Sequence, residues 1–257
     1  MPLYIESSKN PKVKWLLQLQ QKTKLRRSEG VVLVEGRKEY QLALRAGWTP
    51  KIAIHSGDYE GDIPNESEEW VITTDLVKTL FVRGERGEIL GVFEQPSDSL
   101  EDLDLPDNAL VIVMEAVEKP GNLGAVLRTA DAAGVDAVFV VDSVGDVFHP
   151  NVARNSLGAL FSVPIVSTSS QEAFDYLNER GFSTVVTWLE ASVPYTTLDY
   201  SGPTAIVVGA EATGVTPFWV ENGAQRAIIP MAGVVDSMNV SVATAIVVFE
   251  AVRQRNL

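Results

Sequence analysis

Three short segments of this 257-residue chain carry polar side chains at spacings that suit a binding site. The first segment, Pro120 to Ala130, follows an apolar run and opens with proline and glycine, which predicts a helix starting at a strand end. The Asn122 side chain can accept hydrogen bonds from the free backbone N–H groups at the start of that helix. Arg128 lies one turn beyond Gly124, on the same helix face. An anion or polar substrate could approach the bare Gly124 backbone there. An ordinary turn with a solvated arginine is the alternative.

The second segment, Val207 to Val215, is an apolar strand that runs into a turn. Two glycines, Gly209 and Gly214, flank the carboxylate of Glu211 in that turn. Ligands of parallel α/β sheets bind at the carboxyl ends of strands, so this pattern indicates a ligand site. A tight turn with an exposed glutamate is the alternative interpretation.

The third segment starts from a proline-stiffened loop, residues 228–233, and passes through Ser237, Met238 and Asn239 into a helix of small and β-branched residues. Small polar side chains between a stiff loop and a helix could line a site. Ser237 and Asn239 are also typical helix N-cap residues, so starting the helix could be their whole role.

The elements that must position these segments alternate between strands and helices. In the N-terminal part, apolar patterns predict strands over 31–34, 51–55, 70–73 and 89–93 and helices over 11–21, over 37–46 and after Asp75. Such alternation is typical of a small α/β domain. Residues 96–107 are acidic, bracketed by prolines and without periodicity, which predicts a linker.

The C-terminal part has longer and more uniformly apolar strands. They are predicted over 110–114, 137–141, 184–188, 205–208 and 227–229, and a final helix is predicted over 240–255. Strands of this kind are usually covered on both faces, which favours a parallel sheet. The predicted organisation is therefore an N-terminal domain of residues 1–95, a linker of residues 96–107 and a C-terminal domain of residues 108–257.

Composition excludes several classes of site. The chain has no cysteine, which rules out disulfides and thiolate chemistry and favours a cytoplasmic protein. Its two histidines, His55 and His149, are far apart in sequence, so we predict no metal site. No apolar run is long enough to span a bilayer, so no membrane partner is expected.

The charge of the chain is unevenly distributed. The net charge is −13, yet residues 1–30 hold seven basic and two acidic side chains. This basic leading helix predicts phosphate binding through Lys12, Arg26 and Arg27, and a solvated helix surface is the alternative. If the basic region acts as an arm, deleting residues 1–30 should remove nucleic-acid binding and keep ligand binding by the C-terminal domain.

In this order, the three segments resemble the SpoU (TrmH) family of RNA ribose methyltransferases, within the SPOUT superfamily. The matching signatures are Asn-x-Gly-x-x-x-Arg-Thr-Ala from Asn122, Gly-x-Glu-x-x-Gly from Gly209, and Ile-Pro-Met followed by Ser-x-Asn-Val-Ser from Ile229. The resemblance covers residues 110–255. Residues 34–39 are similar to the entry of the small ribosomal-protein-like substrate-binding domain that is common in the family.

The resemblance implies a fold, a cofactor and partners. The expected fold is an α/β protein whose C-terminal domain contains a parallel sheet and a deep trefoil knot. The expected cofactor is S-adenosylmethionine, and the expected partners are ribosomal or transfer RNA and a second copy of the chain.

The implied catalytic residues are Asn122, Arg128, Glu211, Ser237 and Asn239. The implied cofactor-binding residues are Gly209, Ile229 and Met238. Arg154 is expected to contact RNA phosphate, with an intrachain ion pair as the alternative.

In this family the arginine is often assigned as the general base, but Arg128 is poorly suited to that role. A guanidinium hardly loses its proton in a protein. We expect Arg128 to hold the target phosphate and stabilise the developing alkoxide, with Ser237 or water nearest the leaving proton.

Three other functions compete with ribose methylation. A related enzyme could methylate a base, or the chain could be a non-catalytic RNA-binding relative. A dinucleotide-dependent enzyme is disfavoured, because the first segment lacks the Gly-x-Gly-x-x-Gly pattern. The sequence leaves open which RNA and which nucleotide are modified.

Overall fold

The structure, a computed structural model, describes residues 1–143, 145–190, 192–211, 213–235 and 237–256, without the side chains of residues 85 and 86. The chain divides into two compact units. Unit 1 comprises Met1–Pro96 and Phe148–Phe161, and unit 2 comprises Ser97–Val147 and Ser162–Leu257.

Unit 1 is built on a mixed sheet with strand order β1-β4-β3-β5-β2. Its strands are β1 (Leu3–Ile5), β2 (Val31–Glu35), β3 (Pro50–His55), β4 (Glu68–Ile72) and β5 (Ile89–Glu94). Its helices are α1 (Pro11–Gln21), α2 (Thr23–Glu29), α3 (Arg37–Arg45), α4 (Thr74–Leu80) and, from the second stretch of chain, α6 (Pro150–Asn155). β1, β4 and β3 run parallel, and β5 is antiparallel to both of its neighbours.

Helix α1 is part of the core of unit 1. Two features fix its start. The Asn10 side chain accepts a hydrogen bond from the Lys12 backbone N–H, and a proline occupies the first helical position. Val13, Leu16 and Leu19 recur at helical spacing and are fully buried in the core. Because β1 also pairs with β4, the first thirty residues are an integral layer of unit 1 and not a detachable arm.

Unit 2 is built on a parallel sheet, as predicted, with strand order β10-β12-β9-β11-β6-β7-β8. Its strands are β6 (Leu110–Glu115), β7 (Ala137–Val141), β8 (Ile165–Thr168), β9 (Ser183–Thr187), β10 (Val193–Pro194), β11 (Thr204–Gly209) and β12 (Gln225–Ile228). Its helices are α5 (Pro120–Ala133), α7 (Ser170–Glu179), α8 (Pro217–Glu221) and α9 (Val240–Arg255).

The strand order of unit 2 brings the three sequence segments together. β6 and β11 are neighbours, and their last residues, Glu115 and Gly209, are direct partners in the register. α5 follows β6, the Gly209 turn follows β11, and α9 packs against α5. The segments therefore meet at the carboxyl edge of the sheet, as expected for a parallel α/β fold.

Two stretches pack differently from the predicted organisation. Phe148–Phe161, inside the predicted C-terminal domain, groups with unit 1. The predicted linker is packed onto unit 2, because Leu100, Leu103 and Leu105 lie against its apolar core. The Ser167 amide also donates to the Asp98 carbonyl oxygen at 2.9 Å. The trefoil knot stays a prediction.

Across the described ranges, no helix combines the length and the apolarity that a bilayer crossing would need.

Candidate active site

Glu211 is the centre of a hydrogen-bonded cluster at the carboxyl edge of unit 2. One of its carboxylate oxygens accepts from the side-chain amides of Asn122 and Asn239, each at 2.8 Å. The Asn239 amide also donates to the Asn122 side-chain oxygen at 3.2 Å. The other Glu211 oxygen contacts the ammonium group of Lys119. One residue from each of the three segments thus meets in one cluster.

Asn122 does not cap helix α5, so that part of its predicted role is wrong. The helix starts at Pro120, and Lys119 occupies the N-cap position without a capping hydrogen bond from its side chain. Asn122 therefore lies inside the first turn. From there its side chain reaches Glu211 and not the backbone amides of its own helix.

Asn239 caps α9 and also belongs to the Glu211 cluster. Its side-chain oxygen accepts from the Ser241 backbone N–H at 3.0 Å and so caps α9. Its side-chain amide donates to Glu211. The cap fixes the amide orientation, because an oxygen committed to the helix start turns the NH₂ group toward the cluster.

A cavity of about 590 Å³ adjoins the Glu211 cluster in unit 2. Its size falls in the range of small-molecule sites, roughly 300–1,000 Å³. Its walls come from the end of β9, the Gly209 turn, the loop after β12 and the start of α9. The predicted cofactor-binding residues Gly209, Ile229 and Met238 all line it, together with Glu211 and Ser237.

Gly209 is required by the packing of its own turn. The backbone at Gly214 and Val215 folds back onto the Gly209 Cα, where an added Cβ would overlap main-chain atoms of both residues. The Gly214 amide donates to the Ala210 carbonyl oxygen at 2.8 Å and closes the turn. The short, closed turn therefore presents Glu211 at its tip and its backbone to the cavity.

The sequence did not assign Trp188 and its neighbours Thr187 and Leu189 to the site, yet they line the cavity. Trp188 lies directly after β9 and is half-buried, packed on one side against the core of unit 2. Its position at the carboxyl end of a strand allows a place in a cofactor pocket, although the sequence favoured a core aromatic.

Among the described residues, Arg128 takes no part in the hydrogen bonds of the Glu211 cluster. It is exposed on α5, and within the described ranges no hydrogen bond or ion pair engages its guanidinium. The chain therefore brings Asn122, Glu211 and Asn239 together but leaves Arg128 accessible to a group from outside.

The three basic residues of α1 and α2 that were predicted to bind RNA differ in burial and in their contacts. Arg26 is 1% exposed and donates to the Leu19 carbonyl oxygen at 2.5 Å, so the prediction that it binds RNA is wrong: its guanidinium ties α2 to α1. Arg27 is exposed. Lys12 is 3.5 Å from Glu68 and lies over the ring of Trp70.

Arg154 forms the intrachain ion pair that was its alternative role. Its guanidinium lies 3.7 Å from the carboxylate of Glu35 and donates to the Asn151 side chain at 3.2 Å. Both contacts lie within unit 1. An RNA contact of Arg154 stays a prediction.

Lys119 holds Glu211 in its ionised form. The ammonium group of Lys119, followed by the amide of Asn122, lowers the pKa of the Glu211 carboxyl below its ordinary value. We expect the Lys119→Met substitution to raise the Glu211 pKa, because the anion loses its nearest cation. A ¹³C NMR titration of the Glu211 carboxyl carbon measures this change, and Lys51→Met, which removes a cation paired with Glu94, is the control. An unchanged Glu211 pKa would contradict the assignment.

Protein-family models match both parts of the chain. The SpoU rRNA Methylase family model matches residues 109–249. The MRM3-like substrate binding domain model matches residues 10–96. The first match contains all three site segments, and the second covers most of unit 1.

The chain is also similar to proteins of known activity and structure. It is 32% identical over 250 residues, 95% of this chain and 97% of that protein, to the 23S rRNA (guanosine(2553)-2′-O)-methyltransferase RlmP of Bacillus subtilis (strain 168). The structure of an AdoMet-bound rRNA methyltransferase from Sinorhizobium meliloti superposes with a TM-score of 0.88 at 29% identity, covering 98% of this chain and 97% of that chain. The structure of the SpoU methyltransferase AviRb from Streptomyces viridochromogenes, in complex with AdoMet, gives a TM-score of 0.88 at 28% identity. It covers 96% of this chain and 99% of that chain.

Proposed function

Because the chain belongs to the SpoU rRNA methylase family, we propose that it transfers a methyl group from S-adenosylmethionine to a ribose 2′-hydroxyl of ribosomal RNA. The observation that carries this proposal is the Glu211 cluster beside the cavity, since it joins residues of all three segments next to a space of cofactor size. Isothermal calorimetry with S-adenosylmethionine is a first test. Failure to bind would favour the non-catalytic alternative.

The residues that line the cavity fit this cofactor. Ile229 and Met238 provide apolar contact for an adenine ring, and the bare Gly209 lets a ligand approach the backbone. Glu211 is ionised and lies at the rim, where a carboxylate suits a cationic sulfonium group. When bound, S-adenosylmethionine supplies a methyl group whose bonding electron pair stays on sulfur, which becomes a neutral thioether.

The remaining chemistry is orientation of the hydroxyl and removal of its proton. Asn122 and Asn239 are fixed by Glu211, so their amides are preorganised at the rim. Arg128 binds the phosphate of the target nucleotide and stabilises negative charge that develops on the ribose oxygen. Ser237, on the cavity wall, or a water molecule takes the position nearest the leaving proton.

The exposed basic residues of α1 and α2 contribute to RNA affinity. The proposed test is substitution and not deletion of residues 1–30, because deletion would remove β1 and the buried face of α1. Lys14, Lys24 and Arg27 are all exposed. RNA affinity falls with salt, and the slope of log K against log salt concentration measures this dependence. Changing these three residues to Gln should reduce the magnitude of that slope by roughly 2–3.

Fluorescence anisotropy with a labelled ribosomal RNA fragment at several salt concentrations measures this slope. A control variant with Gln at Arg45, Lys51 and Arg180 has the same net charge and should keep the original slope. Equal slopes for the two triple variants would contradict a role of the leading helices.

The chain forms a homodimer through α9. Val242 and Phe249 are seven residues apart, so they lie on one helix face, and they are 48% and 47% exposed. Ala245 and Ile246 lie between them on the same face and are partly exposed. Such an apolar stripe on a helix favours burial against a second copy, and α9 packs against α5, the helix that carries Arg128.

We expect sedimentation equilibrium to show a dimer for the unaltered chain at micromolar concentration. The double substitution Val242→Glu and Phe249→Glu should give a folded monomer, because four charges would face each other in the dimer. Circular dichroism checks that the variant is folded. A monomer for the unaltered chain would contradict the proposal.

We place the protein in the cytoplasm, where its RNA substrate is available.

A further inference from the structure

We propose that Glu115 is a positioning residue for the methyl-transfer site, which fixes the turn that carries Glu211. This inference rests on the proposed function, and it concerns a residue that does not line the cavity. Glu115 is the last residue of β6, beside Gly209 in the register of the sheet. It is 1% exposed, which is unusual for a carboxylate without a cationic partner among its hydrogen bonds.

The Glu115 carboxylate accepts three hydrogen bonds. The backbone N–H and the side-chain hydroxyl of Thr216 each donate to it at 2.6 Å. The hydroxyl of Ser170, in the first turn of α7, donates at 3.3 Å. These donors satisfy a buried anion, and they connect the end of β6 to the residue that follows the Glu211 turn.

The Glu211 turn is thereby held at both ends. At its start, Gly209 is the register partner of Glu115, and the Gly214–Val215 backbone packs directly on Gly209. At its end, Thr216 is held by the Glu115 carboxylate. A turn anchored at both ends carries Glu211 in a fixed position, from which it orients Asn122 and Asn239.

The two Glu115 oxygens face different kinds of donor. One accepts from the Thr216 backbone N–H, which can only donate, and the other accepts from the hydroxyls of Thr216 and Ser170, which can also accept. Glutamine has the same shape and can keep an oxygen at the N–H, but its NH₂ group then faces the hydroxyls, which must reverse their hydrogen bonds. Glu115→Gln also replaces charge-assisted hydrogen bonds with weaker neutral ones, so one end of the turn is held less firmly while the size of the buried side chain is kept.

We expect Glu115→Gln to lower kcat/KM for methyl transfer about tenfold or more, mainly by raising KM for S-adenosylmethionine, because small displacements of site residues are costly. Thr216→Val should show a smaller loss of the same kind, and Thr216→Ser, which keeps the hydroxyl, should keep the original KM. A second readout is the NMR pKa of Glu211, which should rise in Glu115→Gln as its contacts with Lys119 and Asn122 weaken.

Asp136→Asn is the matched control for lost stability. The Asp136 carboxylate accepts from the Leu110 backbone N–H at 2.7 Å, at the opposite end of the same strand. This variant should lower the melting temperature without changing KM or the Glu211 pKa. A Glu115→Gln variant with the original KM and Glu211 pKa would overturn the inference, and so would equal effects of both variants on KM.

Methylation by the unaltered chain is measured first, because its absence would contradict the proposed function and not the role of Glu115. In that case the Glu211 pKa of the variants alone tests whether Glu115 fixes the turn. An unchanged pKa in Glu115→Gln would then overturn the inference.

Discussion

Replacing Gly209 by alanine is expected to weaken S-adenosylmethionine binding about 100-fold or more, which corresponds to roughly 2.7 kcal/mol. The added Cβ would overlap the main chain of Gly214 and Val215, and neither backbone segment can rotate away as a flexible side chain could. The turn must open, and both the cavity wall and the position of Glu211 change with it. Calorimetry measures the affinity, and circular dichroism checks the fold.

The matched control for this substitution is Gly202→Ala. Gly202 also lies in unit 2, but a Cβ at its position would meet no atom within 4 Å. This variant should bind the cofactor as the unaltered chain does. If Gly209→Ala retained full affinity, the Gly209 turn could not be a wall of the cofactor site.

Replacing Arg128 by alanine is expected to lower kcat about 10²–10³-fold while leaving cofactor affinity unchanged, as for the loss of a group that stabilises developing negative charge. The guanidinium is exposed, and within the described ranges its removal breaks no hydrogen bond or ion pair. Arg128→Lys should also lose activity, because an ammonium group cannot form the two parallel hydrogen bonds of a guanidinium to a phosphate.

Single-turnover methylation with excess enzyme measures the chemical step, and calorimetry measures cofactor binding separately. Arg180→Lys is the control, since Arg180 is an exposed arginine of unit 2 whose guanidinium lies over the Tyr176 ring, 3.6 Å from its centroid. An Arg128→Lys enzyme with full activity would contradict the need for a planar guanidinium.

The sequence predicted the elements whose apolar residues recur regularly. The bounds of α1 and α9 agree with the predicted ranges, and each strong apolar run became a strand. Short or polar elements such as β1, α2 and β8 were missed, because three to seven residues give too little periodicity. The parallel sheet followed from uniformly apolar strands, whereas the strand order depends on long-range pairing that no local pattern specifies.

The members of the Glu211 cluster could be named from the sequence, but their arrangement could not. The three segments indicated Asn122, Glu211 and Asn239, and the fold adds that they share hydrogen bonds. The contact between Lys119 and Glu211 joins residues 92 positions apart, so local spacing could not reveal it. Arg26 belongs to a basic stretch in sequence, yet its burial depends on the packing of α2 against α1.

Identification of the methylated product tests the central claim most directly. Ribosomal RNA from cells that lack this protein is incubated with the purified chain and isotopically labelled S-adenosylmethionine, digested to nucleosides and separated by mass spectrometry. The label is expected in one 2′-O-methylated nucleoside, and mapping should place it at a single position in the RNA. Label in a base-methylated nucleoside, or no label in RNA although the chain binds S-adenosylmethionine, would contradict ribose methylation of ribosomal RNA.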